Sequence, residues 1–168
     1  TSVGQVDVEG DNNYTVKAGQ TNVELGRFTV YINNTEDDAV KQITLYNADR
    51  DVINNLKLYR GSDLVATGVK NGSYFTFTLN NPYNITKGES VAFTVMGDVT
   101  SARNGDTATL NIRYNTDIQV LCKTYGYNLK PTIGVNTGVS MIDELGGANK
   151  QTIKVEAGQV TLTFNGPV

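Results

Sequence analysis

The sequence contains no histidine and no tryptophan, a single cysteine and three prolines in 168 residues, and only 18% of it is charged. Without histidine, the most common general base and the most common zinc ligand are both missing. One cysteine can form neither an intramolecular disulfide nor a cysteine-rich metal centre. Most familiar catalytic constellations are therefore excluded, and no enzymatic activity is expected. The net charge of −3 offers no basic surface to neutralise phosphates, so neither nucleic acid nor an anionic membrane is an expected partner. No run of about 18 apolar residues is present to span a bilayer.

What is there instead is period-two alternation punctuated by turn residues. Val23 and Leu25 share one face, Phe28, Val30 and Ile32 another set, and the phase switches at Gly26-Arg27. An extra residue in a strand has this effect, which predicts a β-bulge at Gly26. Further alternating sets are Ile43/Leu45, Leu56/Leu58, Phe75/Phe77/Leu79, Val91/Phe93/Val95, Leu110/Ile112/Tyr114, Ile118/Val120/Cys122, Ile153/Val155 and Val160/Leu162/Phe164. Breaks are expected at Asn33-Asn34, Asn54-Asn55, Arg60 to Asp63, Asn71-Gly72, Asn80-Asn81-Pro82, Asn104-Gly105-Asp106 and Gly146-Gly147. Asn71-Gly72 and Asn104-Gly105 are the best hairpin candidates, since a type I′ turn needs positive φ at both central positions. The fold class expected is all-β: an antiparallel immunoglobulin-like β-sandwich of about ten strands. At most one short helical turn is expected, after Ser140 and ended by Gly146-Gly147.

The chain repeats itself. Val16 to Leu25 and Val155 to Phe164 are near copies that put Ala-Gly before an alternating strand, and Thr86 to Val95 is a looser third version. Gly4-Gln5-Val6-Asp7-Val8 also echoes Gly158-Gln159-Val160-Thr161-Leu162 near the other end. Polar breaks at Gly10 to Asn13 and at Leu145 to Asn149 set both segments off. The division expected is an N-terminal strand and hinge over 1–13, a sandwich body over 14–149 and a C-terminal strand over 150–168. A strand at either end could be supplied to an exposed sheet edge of another copy, satisfying that edge's N–H and C=O groups. The candidate linking residues are Val3, Val6 and Val8 at one end, and Ile153, Val155, Val160, Leu162 and Phe164 at the other.

The phrases Ala18 to Val30, Asn55 to Gly68 and Gly88 to Asp98 resemble segments of tandem immunoglobulin-like modules in prokaryotic cell-surface proteins. The likeness spans roughly residues 14–115. It implies a secreted structural or adhesive role, and it brings no functional residue with it.

Other chemistry is weaker. Acidic clusters at Asp7/Glu9/Asp11, Glu36-Asp37-Asp38 and Asn47/Asp49/Asp51 could hold a structural calcium ion, yet none matches the twelve-residue calcium loop; no cofactor is expected. With no tryptophan, a carbohydrate platform would rest on tyrosine, with Tyr125-Gly126-Tyr127 the first candidate and Tyr31, Tyr46, Tyr59 and Tyr74 on outward faces. Cys122 is in phase with Ile118 and Val120, which points it into the core. Asn13, Asn33, Asn71 and Asn84 begin glycosylation triplets. A lysine-to-asparagine isopeptide bond, as in some bacterial pili, is a further covalent alternative.

The sequence opens at Thr1, and removal of a signal peptide is the expectation. The function expected is a structural subunit of an extracellular filament or surface layer, with copies of itself as partners joined by strand addition. A surface carbohydrate-binding or adhesive module is the alternative, and a viral capsid or tail decoration protein the third.

Overall fold

The structure is a computed structural model that describes residues 5–10, 13–33, 37–100, 103–123, 125–129, 139–140, 151–157 and 166. The strands are β1 (Gln5–Gly10), β2 (Asn13–Lys17), β3 (Val23–Asn33), β4 (Asp38–Tyr46), β5 (Ile53–Arg60), β6 (Asp63–Asn71), β7 (Tyr74–Ile85), β8 (Ser90–Val99), β9 (Thr107–Leu110), β10 (Ile118–Cys122), β11 (Asn128–Leu129), β12 (Val139–Ser140) and β13 (Gln151–Glu156). The fold is an all-β sandwich, as the alternation predicts. The one helical piece among the described residues is a 3-10 turn at Asn115–Asp117. Of the segment expected to carry a turn, Ser140 lies in β12, and residues 141–150 lie outside the described residues.

Strand β6 joins the two layers. Its first half pairs with β5 (Asp63 to Arg60, Thr67 to Lys57), and its second half pairs with β7 (Gly68 to Phe77, Asn71 to Tyr74). The ladder therefore runs in the order β11-β10-β4-β7-β6-β5-β8-β3-β1-β12, folded over at β6. Gly68 stands at the crossover, where a Cβ would come within 3.0 Å of both the Leu56 carbonyl oxygen and the Phe77 ring. Any larger residue there would need the Leu56 carbonyl and the Phe77 ring to give by a few tenths of an ångström. A second sheet, β2-β13-β9, closes one side. In it β13 runs antiparallel to β9 but parallel to β2, so the sandwich is antiparallel with one parallel pair.

The alternating positions form a single core in which Leu25, Phe28, Val30, Ile43, Leu45, Leu56, Leu58, Phe75, Phe77, Phe93 and Val95 are buried. Each such side chain contributes about 1.5 to 3 kcal/mol by leaving water. The expected bulge is present: the β3–β8 register shifts between Glu24 and Gly26, which lets Leu25 and Phe28 both face inward.

Four turn expectations are corrected. Asn71 pairs directly with Tyr74, so the β6–β7 turn is centred on Gly72-Ser73, with Gly72 at φ 62° and Ser73 not left-handed; this is the type II′ pattern, not I′. Asn104-Gly105 makes no hairpin, because Asp106 N–H donates to the Arg103 carbonyl across Gly105 at φ 90° and the chain passes to a different sheet. Asn54-Asn55 and Asn80-Asn81-Pro82 do not end strands. Strand β5 absorbs Asn55 at φ 54° in a bulge against β8. Strand β7 carries the Asn80 to Pro82 stretch in an excursion between Thr78, paired with Gln42, and Tyr83, paired with Val40. That takes Pro82, which has no N–H, out of the ladder.

Candidate functional site

The linking candidates fall into three groups. Val6 and Val8 lie in β1, opposite Ile32 and Val30 of β3. Ile153 and Val155 are completely buried in β13, which is central in its sheet and pairs with β2 on one side and β9 on the other. Val3, Val160, Leu162 and Phe164 lie outside the described residues. The structure thus does not bring the two described pairs together: one lines a sheet edge and the other fills the core.

That edge is only partly closed. All six residues of β1 pair with β3, but on its other side β12 meets only Glu9 and Gly10. Among the described residues, the outer N–H and C=O groups along Gln5 to Val8 face no neighbouring strand. The opposite end of the large sheet is β11, a two-residue strand.

The acidic loops do structural work. Asn47 is buried; its Nδ2 donates to the Arg50 carbonyl at 2.8 Å, and its Oδ1 accepts the N–H groups of Thr109 at 3.0 Å and Asp49 at 3.1 Å. The Asp49 carboxylate accepts from the Thr107 hydroxyl, and Asp51 pairs with Lys70. Asp37 caps the Lys87 N–H at 3.0 Å. Among the described residues no three of His, Cys, Asp and Glu group to hold a metal. Cys122 is buried, in phase with Ile118 and Val120. None of the described lysines is buried, so none is in the core beside an asparagine.

Five of the tyrosines fall into two surface groups, in which Tyr114, Tyr125 and Tyr127 are exposed and Tyr46 and Tyr74 half-buried. Tyr125 and Tyr127 flank Gly126 in the β10–β11 hairpin, their rings stacked at 6.0 Å and exposed to 67% and 50%. The second group lies on the outer face of β7 and β4. Tyr74 and Tyr46 are directly opposed, with ring centroids 4.9 Å apart. The Arg113 guanidinium lies 4.8 Å from the Tyr46 ring centroid and 5.3 Å from that of Tyr114. Its Nη1 donates to the Tyr74 hydroxyl at 2.6 Å, and this hydrogen bond is the largest cause raising the arginine pKa above its ordinary value. The Asp117 carboxylate accepts the Tyr114 N–H at 3.2 Å. Burial pushes its pKa up, opposed by that hydrogen bond and by the Arg113 charge.

Arg113 and Tyr114 are the residues that sequence reasoning misses. Tyr114 continues an inward phase with Leu110 and Ile112, yet it is 42% exposed, because β9 ends at Leu110 and the chain turns at Asn115–Asp117. The Arg-Tyr-Asn-Thr-Asp run was the available signal that the strand stops.

No protein-family model matches the chain, and no curated protein sequence is similar to it. Among solved structures, it is similar to the sixth cohesin from Acetivibrio cellulolyticus scaffoldin B, at 10% identity and a TM-score of 0.49, over 92% of this chain and all of that one. A non-cellulosomal cohesin from the archaeon Archaeoglobus fulgidus gives 14% identity and a TM-score of 0.45, covering 90% of this chain and 91% of that one. AggA, the major subunit of an Escherichia coli aggregative adherence fimbria, gives 12% and 0.36, over 94% and 97%. The likeness is one of β-sandwich outline. At such identities nothing about binding or assembly transfers to this chain.

Proposed function

We propose that the chain is a structural subunit of an extracellular filament or surface layer, joined to further copies by strand addition, and that β1 is the strand exchanged. The observation that supports this reading is that β1 lies one strand from the sheet's end and, among the described residues, is covered on its outer side only at Glu9 and Gly10, by the two-residue β12. Such a strand can leave β3 and take the same six-residue ladder on a neighbour's β3, so the hydrogen bonds made in cis are remade in trans and little is lost but association entropy. In the sequence, the polar break from Gly10 to Asn13 separates β1 from β2. Strand β13 is a poor candidate by the same argument, since withdrawing Ile153 and Val155 would open the core and expose both β2 and β9. Exchange that does not close on itself builds an open fibre.

The test is negative-stain electron microscopy of the secreted protein without added partners, beside a variant lacking Thr1 to Gly10. Filaments with an axial repeat near the length of one sandwich, abolished by the deletion and competed by a peptide of residues 1–10, support the reading. Monomers at all concentrations, or filaments that survive the deletion, overturn it.

A further inference from the structure

The second tyrosine group, of which Tyr114 is the exposed member, has a composition that strand exchange does not use. Tyr114, Arg113, Tyr46 and Tyr74 form a continuous run in which the guanidinium is within cation–π distance of two rings and is hydrogen-bonded to the third tyrosine. A guanidinium has five N–H donors in a rigid fork, and one is committed to Tyr74. The arginine is thus fixed in place with donors to spare. The face beside it is uncharged and able to hydrogen-bond. Thr44 and Thr76 hydroxyls lie 3.4 Å apart across β4 and β7, and Thr78 donates to Gln42 at 3.3 Å. Its exposed aliphatic member is Val69, opposite Thr76.

These features discriminate between ligand classes. A protein-docking core also uses tyrosine and arginine but seats them in well-packed, desolvated pockets, whereas this face sets Tyr46, Tyr74, Tyr114 and Arg113 among hydroxyls, an amide and one exposed valine. A polyanion would be repelled by a chain of net charge −3. A pyranose ring combines an apolar C–H face that stacks on an aromatic ring with hydroxyls that need fixed donors and acceptors in its plane, the mixture found here.

We propose that the Tyr46–Arg113–Tyr114 stack binds a pyranose unit of an oligosaccharide, with Tyr114 supplying the exposed stacking ring and Arg113 its uncommitted N–H groups. Tyr46 and Tyr74 are positioning residues that hold the guanidinium. The site is on the side-chain face of β4 and β7 and needs no free strand edge, so it is independent of assembly through β1.

The experiment probes the full chain on a printed array of neutral glucan, xylan, mannan and chitin oligomers, followed by calorimetry with the strongest binder. The expected result is saturable binding that falls at least about tenfold in Tyr114→Ala and in Arg113→Gln, and that is unchanged in Tyr127→Ala. Tyr114 is exposed and does not enter the core, so its variant retains the wild-type melting temperature and serves if Arg113→Gln folds poorly. Absence of any array signal overturns the proposal. So does binding that survives Tyr114→Ala, and so does binding lost only in Tyr125→Ala or Tyr127→Ala, which would move the site to the β10–β11 hairpin.

Discussion

Asp98 accepts the backbone N–H of Asn22 on one carboxylate oxygen at 2.8 Å, although 76 residues separate the two. Its other oxygen accepts the Asn55 side-chain amide at 2.8 Å. Asn22 and Asn55 are the two non-glycine residues with positive φ among those described, at 50° and 54°. One carboxylate in β8 therefore pins both left-handed kinks, one in the approach to β3 and one in β5. Asparagine tolerates that backbone region better than most residues, and the carboxylate takes the backbone N–H at the first kink and the side-chain amide at the second.

The two hydrogen bonds, the Asn55 amide first, hold the Asp98 pKa below its ordinary value. A depressed carboxylate pKa adds stability above the unfolded-state value and loses it as pH falls through the folded-state value. Asp98→Ala is expected to lower the melting temperature at pH 7, and the gap to wild type is expected to narrow as pH drops below about 4. Asp117 carries the opposite sign. Its pKa is raised by burial, so its charged form is disfavoured in the fold, and Asp117→Asn is expected to raise the melting temperature at pH 7 and to lose that advantage in acid. Melting curves of both variants from pH 2.5 to 7 check the pair. Parallel curves for either one would refute its assigned shift.

The space beside Gly97 makes a steric prediction. Strands β3 and β5 each bulge against β8 at this level, and a Cβ on Gly97 would run into Leu56 Cδ2 and stand 2.8 Å from Leu25 Cδ1. The two extra residues thus drop their side chains into the room a glycine leaves. Gly97→Ala is expected to cost about 1 to 3 kcal/mol through overpacking. Chemical denaturation measures it, and adding Leu56→Val should recover part of the loss if the clash is the cause.

How far the sequence revealed this arrangement depends on range. The Gly26 bulge and the inward phase of Cys122 were legible because each follows from neighbours within a few positions. The double bulge around Gly97 was not, since it needs three strands brought together from separate parts of the chain. Asn54-Asn55 read as a turn for the same reason: the dipeptide tolerates positive φ, and only the partner strand decides whether the chain reverses or merely kinks. At the candidate site the outward faces of Tyr46 and Tyr74 followed from alternation. Arg113 joined them only because the Tyr46–Asn111 bridge lays the end of β9 beside β4, a contact that no local pattern encodes.

Asn47 and Asn111 are both buried asparagines near that junction, yet they differ in satisfaction. Asn47 makes three hydrogen bonds to backbone groups, whereas among the described residues Asn111 Oδ1 has no hydrogen-bond partner. Removing a satisfied partner leaves buried donors bare, at about 1 to 3 kcal/mol each, while removing an unsatisfied group can be neutral or favourable. Asn47→Ala is expected to destabilise by about 2 to 4 kcal/mol. Asn111→Val, which keeps the backbone bridge to Tyr46 and suits a strand, is expected to leave stability unchanged or raise it. Equal losses in the two variants would show that Asn111 does hold a partner.

Cys122 provides a reporter of global opening. It is 1% exposed on β10, whose neighbour β4 pairs with it through five positions and in turn with the long strand β7. A thiol in that setting meets reagent only when the strand opens. Labelling by a thiol-reactive probe at pH 8 is therefore expected to be slow in native buffer, to reach completion in denaturant, and to follow the same transition as far-ultraviolet circular dichroism. Fast labelling of the native protein would mean that the β10–β4 edge opens on its own, and would make that edge, in place of β1, the first place to look for exchange between copies.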